Sequence, residues 1–465
     1  MSDLAPATDA LSVVNGLTDQ GIETVVLAGA DTHGVMRGKR VPIGQLARLL
    51  AHGVALCDVF WVLHLDESAL VERPEGHVGY FPTERNGYPD ILGVPDPSTL
   101  RIVPWHHRTA LMLCDWRGQD GAPIPIAPRE ILRRVVERAR AMGFEPRCAL
   151  ELEFYLLRET SGSLLTRRPA ELVPLTERSS TYGVAMGSRQ EPVGRLIREN
   201  MLAYGLPVEA CNPETGPGQF EITLRHRPAL EAADDAFLFK SAVKELATQQ
   251  DLVATFMAKP SNEWAGNSCH IHMSLTDADG RGVFHDPDDP RGLSSTLRGF
   301  VAGTLDAMPG LTAVMAPTIN SYRRFTGYSW AGTTATWGID NRSVGVRAIS
   351  EGEGGTRVEH RQPGGDVNPY LAVAAALGSG LDGIARGAQA PEPTGEDVYA
   401  MERAAVRTLP RSLPKAIAAL EGSATAREWL GEDFVGYFRE MKRAEVDAAA
   451  TAVTDWEIAR YLEAL

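Results

Sequence analysis

Two glutamates in an alternating stretch, residues 149–157, are the first candidates for chemistry. Glu151 and Glu153 alternate with leucine and phenylalanine, so both carboxylates face the same side of a half-buried strand. No basic residue lies between them. Carboxylates gathered in this way repel each other unless cations neutralise them. The stretch therefore indicates either a site for divalent cations or a strand with a solvated acidic face.

A second acidic stretch, residues 208–222, carries Glu209, Glu214 and Glu221 around the turn sequence TGPGQ. The glycines and the proline predict a turn between two short segments. The same two interpretations stay open for this stretch, and the rest of the chain has to decide between them.

Two histidines could complete such a site. His270 and His272 are two residues apart in HIHMSL, which alternates like a strand and points both imidazoles one way. Glu359 offers a further carboxylate. Oxygen-rich sites with an imidazole suit Mg²⁺ or Mn²⁺ better than zinc, and no cysteine pair supports zinc. A histidine on a strand can also be an ordinary packed or surface residue.

Six arginines in the second half of the chain have no matching acids beside them. They are Arg323, Arg324, Arg342, Arg347, Arg357 and Arg361. Guanidinium groups bind carboxylate and phosphate through two parallel hydrogen bonds, so a cluster of them could hold an anionic substrate and a polyphosphate. Any one of them could equally be a surface arginine. The chain contains no GxxxxGK[ST] phosphate loop, so metals and arginines would have to hold the phosphates of ATP.

The elements that position these residues predict an α+β fold. Strand patterns cover 22–30, 36–42, 59–65, 111–116, 149–157, 270–275, 342–349 and 357–362. Helix patterns cover 44–53, 128–142, 193–204, 228–257, 293–308, 368–386, 413–420, 432–450 and 455–465. Strands with helices added between and after them are typical of α+β proteins. We expect a small N-terminal domain over 1–117, a linker around 118–128, and a larger domain over 124–465.

Composition narrows the function classes. The chain has 465 residues and a formal charge of −14, which disfavours nucleic acid and acidic membrane surfaces as partners. Its five cysteines are scattered and odd in number, as expected of reduced thiols in a cytoplasm-like compartment. No signal peptide pattern and no apolar run of membrane-spanning length is present. We therefore expect a cytoplasmic protein.

Taken together, these stretches resemble the glutamine synthetase family over nearly the whole chain. The matching segments are ELEF at 151–154, ETGPGQFEI at 214–222, ATFMAKP at 254–260, NSCHIHMSL at 267–275, NSYRRF at 320–325, NRSVGVR at 341–347, RVEHRQPGGDVNPY at 357–370 and VTDWE at 453–457. Their order and spacing make the resemblance specific. It implies an N-terminal β-grasp domain followed by a larger catalytic domain of antiparallel strands and helices. It also implies self-association into a ring, a dodecamer of two hexamers, with active sites between neighbouring subunits.

The resemblance implies a role for each candidate residue. The metal ligands would be Glu151, Glu153, Glu214, Glu221, His270 and Glu359, holding two or more Mg²⁺ or Mn²⁺ ions per active site. The L-glutamate substrate would contact Gly266, Arg324, Arg342 and Arg361, and the catalytic groups would be Arg324, Arg342 and Glu214. The co-substrate ATP would contact Glu209, His272, Ser274, Arg347 and Arg357. Tyr399 lies near a position that is adenylylated in some members, but EDVYAMER matches poorly and no such modification is expected.

The chain departs from the ammonia-using members of the family at the amine site. Those members carry a glutamate in a mobile loop after the NSYKR motif, whereas Ser329 stands there in this sequence. Asp58 in LCDVFW is the nearest counterpart of a second ammonium ligand, and the motif around it is not kept. Serine cannot hold ammonium by charge, and its small side chain leaves room for a substituted amine. The pattern resembles the bacterial γ-glutamylpolyamine and γ-glutamylethanolamide synthetases.

The hypothesis that follows is an ATP-dependent ligase that joins the γ-carboxylate of L-glutamate to a primary amine through γ-glutamyl phosphate. The amine would be a polyamine such as putrescine, or ethanolamine. Asp58, Asp66 and Glu67 leave a diamine open, because its distal ammonium needs an anion. Two alternatives remain: a glutamine synthetase that uses ammonium, and an inactive paralogue that binds nucleotide or regulates.

Overall fold

The computed structural model describes residues 7–68, 87–166, 171–402 and 405–465. Its strands are β1 Thr24–Ala30, β2 Met36–Pro42, β3 Val54–Cys57, β4 Asp90–Pro95, β5 Arg101–Ile102, β6 Thr109–Arg117, β7 Glu145–Leu157, β8 Val208–Pro213, β9 Gln219–Leu224, β10 Arg227–Pro228, β11 Val253–Thr255, β12 Cys269–Thr276, β13 Trp337–Ile339, β14 Val346–Ile349 and β15 Arg357–His360. Its helices are α1 Ala7–Asp19, α2 Leu46–His52, α3 Pro128–Ala141, α4 Ser161–Leu164, α5 Val184–Gly187, α6 Glu191–Ala203, α7 Ala229–Thr248, α8 Ser295–Met315, α9 Pro369–Ala385, α10 Leu413–Glu421, α11 Ala424–Leu430, α12 Glu432–Thr451 and α13 Asp455–Tyr461. The predicted α+β class is confirmed.

The N-terminal part forms a mixed sheet in the order β2-β1-β6-β4-β3, with β5 paired to β6. The predicted strands β1 and β2 pair as an antiparallel hairpin. Its turn is fixed by Asp31, whose carboxylate accepts hydrogen bonds from the amides of His33 and Val35. One face of β1 buries Val25 and Leu27 together with the leucines of α2. These residues form an apolar core on one face of the sheet. A folding unit of this size needs such a core in order to be stable.

The strand predicted over 59–65 is wrong. Residues Asp58–Val62 form a 3₁₀ helix, in which Phe60, Trp61 and Val62 are all buried. Three consecutive apolar residues satisfy a buried turn as well as a buried strand, and periodicity alone does not separate the two.

The larger sheet has the order β13-β14-β15-β12-β7-β9-β8, with β10 and β11 paired to the two ends of β7. The 13-residue strand β7 is its centre, and Leu150, Leu152, Phe154 and Leu156 bury one face completely. The opposite face presents the glutamates of the 149–157 stretch. The alternating residues of this stretch therefore face the apolar core and the polar surface in turn.

Helices cover the apolar face of this sheet. α8 and α9 approach closely because Gly303 and Gly383 face each other, and a Cβ on Gly383 would lie 2.1 Å from the carbonyl oxygen of Gly299. The helix predicted over 228–257 is too long: α7 ends at Thr248, and a turn through Asp251, at φ +54°, leads into β11. The apolar run after Thr248 pairs with β7, and this long-range pairing overrides the local helix pattern.

The segment predicted as a linker, 118–128, is tightly packed. Its first residues form a turn closed by the Gly118 amide and the Ala122 carbonyl, and Ile124 and Ile126 are buried in the main core. This segment joins β6 to α3, and the division into two domains at this point stays a prediction. Among the described residues, no helix combines the length and apolar character that crossing a membrane requires.

Candidate active site

Strand register brings the predicted carboxylates and histidines into one row. Glu153 on β7 lies directly opposite Glu221 on β9, and Glu151 lies opposite His270 on β12. Side chains directly opposite on antiparallel strands have Cβ atoms about 4.5–5.5 Å apart. Two stretches that are some 60 residues apart in sequence therefore present their glutamates to one small volume.

The row continues towards the other edge of the sheet. His272 on β12 lies opposite Glu359 on β15, and Glu359 lies opposite Arg347 on β14. The Arg347 guanidinium donates a 3.0 Å hydrogen bond to Glu359, and Arg361 donates another to the same carboxylate. Five neighbouring strands thus each contribute to one polar surface.

Two adjoining cavities open on this surface, and Glu151 lines both. The first has a volume of about 940 Å³ and the second about 510 Å³. Predicted residues that line the first are Glu151, Glu153, Glu214, Glu221, Gly266, His270, Arg324, Ser329, Arg342, Arg347, Glu359 and Arg361. Predicted residues that line the second are Glu151, Glu209, His272, Ser274 and Arg357. The predicted nucleotide residues therefore gather in the second cavity, except Arg347, which lies in the first.

Three carboxyls of the first cavity have raised pKa values and therefore ionise less readily than free glutamate. Burial and the charges of neighbouring glutamates raise the pKa of Glu221 to about 9 and that of Glu153 to about 7. The pKa of Glu214 is also raised, chiefly by burial. A bound cation would remove the cause of these shifts, because it neutralises the repulsion between the carboxylates.

Two other carboxyls of the same row stay ionised. Burial disfavours the charge of Glu151, but hydrogen bonds from His270 (3.1 Å) and His272 (2.9 Å) outweigh it and lower its pKa. Burial likewise opposes ionisation of Glu359, and nearby Arg361 overcomes it, so its pKa falls to about 2. The row thus combines carboxylates that are ionised without a cation and carboxyls whose ionisation a bound cation would favour.

The donor set fits divalent metal ions. Ligand atoms of Glu151, Glu221 and His270 lie within 4.8 Å of one another, and so do those of Glu151, His272 and Glu359. His270 Nε2 is buried and has no hydrogen-bond partner within the described residues. Burial and the charge of Arg361 lower the pKa of His270, so its imidazole is neutral and free to bind a metal. Four or more carboxylate oxygens with one imidazole suit Mg²⁺ or Mn²⁺.

The arginines occupy different depths of the first cavity. Arg324 is only 2 % exposed, and its guanidinium donates 3.3 Å hydrogen bonds to the carbonyl of Gln362. It packs against Gly266, where a Cβ would lie 2.2 Å from Arg324 Cγ. Arg361 is also buried, whereas Arg342 is more than half exposed, near Asp340. A buried and an exposed guanidinium in one cavity can bind two anionic groups, one deep in the cavity and one closer to solvent.

Asp58, predicted as an amine-site candidate, lines neither cavity. It begins the 3₁₀ helix of the N-terminal part and is 1 % exposed. Burial raises its pKa to about 6. Its carboxyl is enclosed by its own chain and offers little surface to a substrate.

Several residues of the site were not predicted from the sequence. Gln219 donates 2.9 Å hydrogen bonds to the carbonyl of Gly266 and to the side chain of Asn267, which fixes the wall beside Glu153. Tyr182, Tyr328 and Trp330 line the first cavity. The two aromatic residues on either side of Ser329 are visible in the sequence, whereas nothing near Tyr182 distinguishes it from an ordinary loop residue.

Comparisons with known proteins agree on one family. The model of the glutamine synthetase catalytic domain matches residues 125–461. A glutamate–isopropylamine ligase from a Pseudomonas species is 37 % identical over 454 residues, 97 % of this chain and 98 % of that protein. The γ-glutamylethanolamide synthetase GlnA4 of Streptomyces coelicolor is 39 % identical over 443 residues, 95 % and 93 % of the two chains. A solved complex of GmaS with ADP superimposes with a TM-score of 0.83 at 31 % identity, covering 97 % of this chain and 99 % of that one.

Proposed function

The chain belongs to the glutamine synthetase family, and we propose that it is an ATP-dependent ligase that joins the γ-carboxylate of L-glutamate to a primary amine. The observation that carries this proposal is the composition of the first cavity. It holds the acidic and imidazole side chains proposed as metal ligands and four arginines, while the loop expected to bind ammonium has the neutral Ser329. Phosphoryl-transfer chemistry is retained, and the charge that would select ammonium is missing.

The first half of the reaction forms γ-glutamyl phosphate. The γ-carboxylate of glutamate attacks the γ-phosphorus of ATP, and ADP leaves. We propose that Arg361 binds the substrate α-carboxylate beside Gly266, while Arg324 and Arg342 stabilise charge on the reacting carboxylate and the transferred phosphoryl group. Divalent metal ions held by Glu151, Glu153, Glu214, Glu221, His270 and Glu359 would supply further charge neutralisation on the phosphates.

The nucleotide is assigned to the second cavity. Glu209, His272, Ser274 and Arg357 line it, and it meets the first cavity at Glu151. ATP lying here would extend its phosphates towards the row of metal ligands. Arg347, which bridges Glu359 and Asp340, would keep the carboxylate of Glu359 oriented at this junction.

In the second half the amine nitrogen attacks the carbonyl carbon of the acyl phosphate, the C–O bond breaks, and phosphate leaves. The amine attacks as the free base, and its nitrogen then loses one proton to a carboxylate of the cavity, for which Glu214 is our candidate. The same cavity then releases a γ-glutamyl amide. Asp66 and Glu67, which left a diamine open, are already engaged: Asp66 accepts hydrogen bonds from Ser68, and Glu67 pairs with Arg37 at 2.9 Å.

The test is phosphate release by the purified chain with L-glutamate, ATP and Mg²⁺ over a panel of amines. The panel contains ammonium, ethanolamine, isopropylamine and putrescine. We expect turnover with at least one carbon-bearing amine to exceed turnover with ammonium by tenfold or more in kcat/KM. Turnover with ammonium alone would make the chain a glutamine synthetase, and Mg²⁺-dependent ATP binding without turnover would make it an inactive paralogue.

We also propose that the chain self-associates into a ring of the dodecameric type. The C-terminal helix α13 supports this, because Trp456, Ile458, Tyr461 and the following Leu462 are exposed apolar side chains on a short terminal segment. Light scattering on the purified chain measures the assembly directly. A particle of the mass of one 50.3 kDa chain would contradict the proposal.

A further inference from the structure

Three aromatic side chains stand together beside the first cavity, and two of them, Tyr328 and Trp330, line it. Tyr328 and Tyr399 have ring centroids 5.1 Å apart, and Trp330 meets Tyr399 edge-on at 6.4 Å. We call Tyr328, Trp330 and Tyr399 the aromatic wall. Two of its members lie on either side of Ser329, and the third comes from a segment about 70 residues further along the chain.

The wall is open to solvent where a core cluster would be closed. Tyr328 is 65 % exposed and Trp330 is 53 % exposed, although both line the cavity. Large aromatic surfaces left in contact with water inside a concave site are typical of ligand-binding surfaces. Stability of the fold alone gives no reason for them, since burying them would stabilise the chain.

The backbone of the wall is held in an unfavourable conformation. Tyr328 has φ +52° and Trp330 has φ +57°. Bulky side chains rarely occupy the left-handed region, and residues held there cluster at functional sites. Tyr182, at φ +54°, is a third aromatic residue with positive φ, and it lines the same cavity near Glu214. Three of the eight non-glycine residues with positive φ in the described chain therefore present aromatic rings to one cavity.

Two hydroxyl groups are enclosed next to the wall, those of Ser329 and Tyr399. The Ser329 and Tyr399 hydroxyl oxygens are buried, and neither has a hydrogen bond of normal geometry within the described residues. They face each other beside the backbone of Trp330.

The wall itself carries no charge. The stretch Thr326–Trp330 and Tyr399 contain only neutral side chains, and the acidic groups of the cavity that are metal ligands belong to the sheet below. Glu263 and Lys259 also line the cavity, one of each sign, so they do not give this side a net charge. An apolar carbon chain is favoured against such a surface, whereas a second ammonium group would lose hydration without gaining a dedicated partner.

We propose that the aromatic wall selects the amine by binding its carbon chain, and that the preferred substrate is a primary monoalkylamine rather than ammonium or a diamine. The alkyl group lies against Tyr328 and Trp330, which line the cavity, and Tyr399 supports their rings from behind. The wall takes no part in bond making or breaking. This inference rests on the proposed ligase function and names the substrate class of the same site.

The test is a ratio, kcat/KM for propylamine divided by kcat/KM for ammonium, measured by phosphate release. We expect Trp330→Ala to lower this ratio about tenfold, the effect of losing apolar contact to one or two methylene groups. Trp330→Phe, which keeps an aromatic ring, should retain most of the ratio. Tyr328→Leu provides the same measurement at an exposed position if Trp330→Ala does not fold.

The matched control is Trp456→Ala, which removes an exposed tryptophan from α13, outside both cavities. Light scattering shows whether this variant assembles as the wild type does, and in that case its ratio should equal that of the wild type. Putrescine preferred to propylamine in the wild type, or an unchanged ratio in both wall variants, would overturn the inference. Absence of turnover with every amine would instead overturn the proposed ligase function, so the two failures are distinguishable.

Discussion

At the scale of single residues, we propose that Ser329 leaves the amine site without a charge of its own. It stands in the neutral stretch Thr326–Trp330 of a cavity that six glutamates line. We expect Ser329→Glu to shift the preference from alkylamine towards ammonium by about tenfold in the ratio of kcat/KM values, because a carboxylate attracts the small cation and fills the space of the alkyl group. Ser329→Ala is the control that changes the hydroxyl without adding charge. An active Ser329→Glu enzyme with the wild-type preference would count against the role given to this loop.

Asp58 is a buried carboxyl whose ionisation the fold opposes. Burial raises its pKa from 3.8 to about 6, so the folded chain favours the protonated carboxyl. The stability that this provides is present below pH 4 and is lost as pH rises through 6. Asp58→Asn should therefore be more stable than the wild type by about 1–2 kcal/mol at pH 8 and nearly equal to it at pH 4.

Urea unfolding of both proteins at the two pH values measures this difference. Equal stability at pH 8 would mean that the Asp58 carboxylate is compensated in a way the single chain does not provide, for example by a neighbouring subunit. In that case Asp58 would again be a candidate for the amine site between subunits.

At the scale of elements, the sequence predicted which residues share a face but not which faces meet. Alternation in 149–157 correctly placed Glu151 and Glu153 on the side opposite the core. The pairing of Glu153 with Glu221 and of His272 with Glu359 depends on strand register set by contacts far apart in the chain, which periodicity does not contain. The family resemblance supplied the grouping that local patterns could not.

The junction between the Gly266 loop and the 3₁₀ helix that carries Arg324 is an element-scale contact that can be tested. A Cβ on Gly266 would lie 2.2 Å from Arg324 Cγ and 2.9 Å from the carbonyl oxygen of Ala258. We expect Gly266→Ala to displace Arg324, to lower kcat/KM for glutamate at least tenfold and to cost about 1–3 kcal/mol of stability.

Gly436→Ala is the matched control for this substitution. Gly436 lies within α12, where an added Cβ has no neighbour within 4 Å, and alanine is the better helix former. Activity should be unaffected by it and stability equal or slightly higher. Full activity of Gly266→Ala would show that the position of Arg324 does not depend on this contact.

At the scale of the whole molecule, the sheet that forms the site also brings several glutamates close together, where their charges repel each other. Because the pKa values of Glu221 and Glu153 are raised, the folded metal-free chain binds more protons than the unfolded chain between about pH 5 and 9. Its stability should therefore fall as pH rises through this range. Added Mg²⁺ should reduce the fall, since a bound cation neutralises the same carboxylates.

Thermal unfolding followed by circular dichroism from pH 5 to 9, with EDTA or with Mg²⁺, checks this expectation. The difference in Tm between the two conditions should grow with pH. A difference that is constant over the range would mean that Mg²⁺ binds away from these glutamates. The same measurement on Glu221→Gln should show a flatter pH dependence in EDTA than the wild type.

Contacts between segments that are far apart in the chain could not be predicted from the sequence. The aromatic wall joins Tyr328 and Trp330 to Tyr399 across about 70 residues, and no local pattern links the two segments. The 3₁₀ helix at Asp58–Val62 and the early end of α7 have the same origin, because packing and strand pairing over long distances decided between locally equivalent conformations. The acidic and histidine residues proposed as metal ligands could be named from the sequence because their types and spacings are typical of metal sites, and the strand register brings them together.

The central claim is that one cavity activates glutamate as an acyl phosphate and passes it to a carbon-bearing amine. The most direct test uses L-glutamate labelled with ¹⁸O in the γ-carboxylate, together with ATP, Mg²⁺ and propylamine. Mass spectrometry should find γ-glutamylpropylamide and one ¹⁸O atom in each phosphate released, because the bridging oxygen leaves with the phosphoryl group. Unlabelled phosphate, or labelled phosphate formed only when ammonium replaces the alkylamine, would contradict the account.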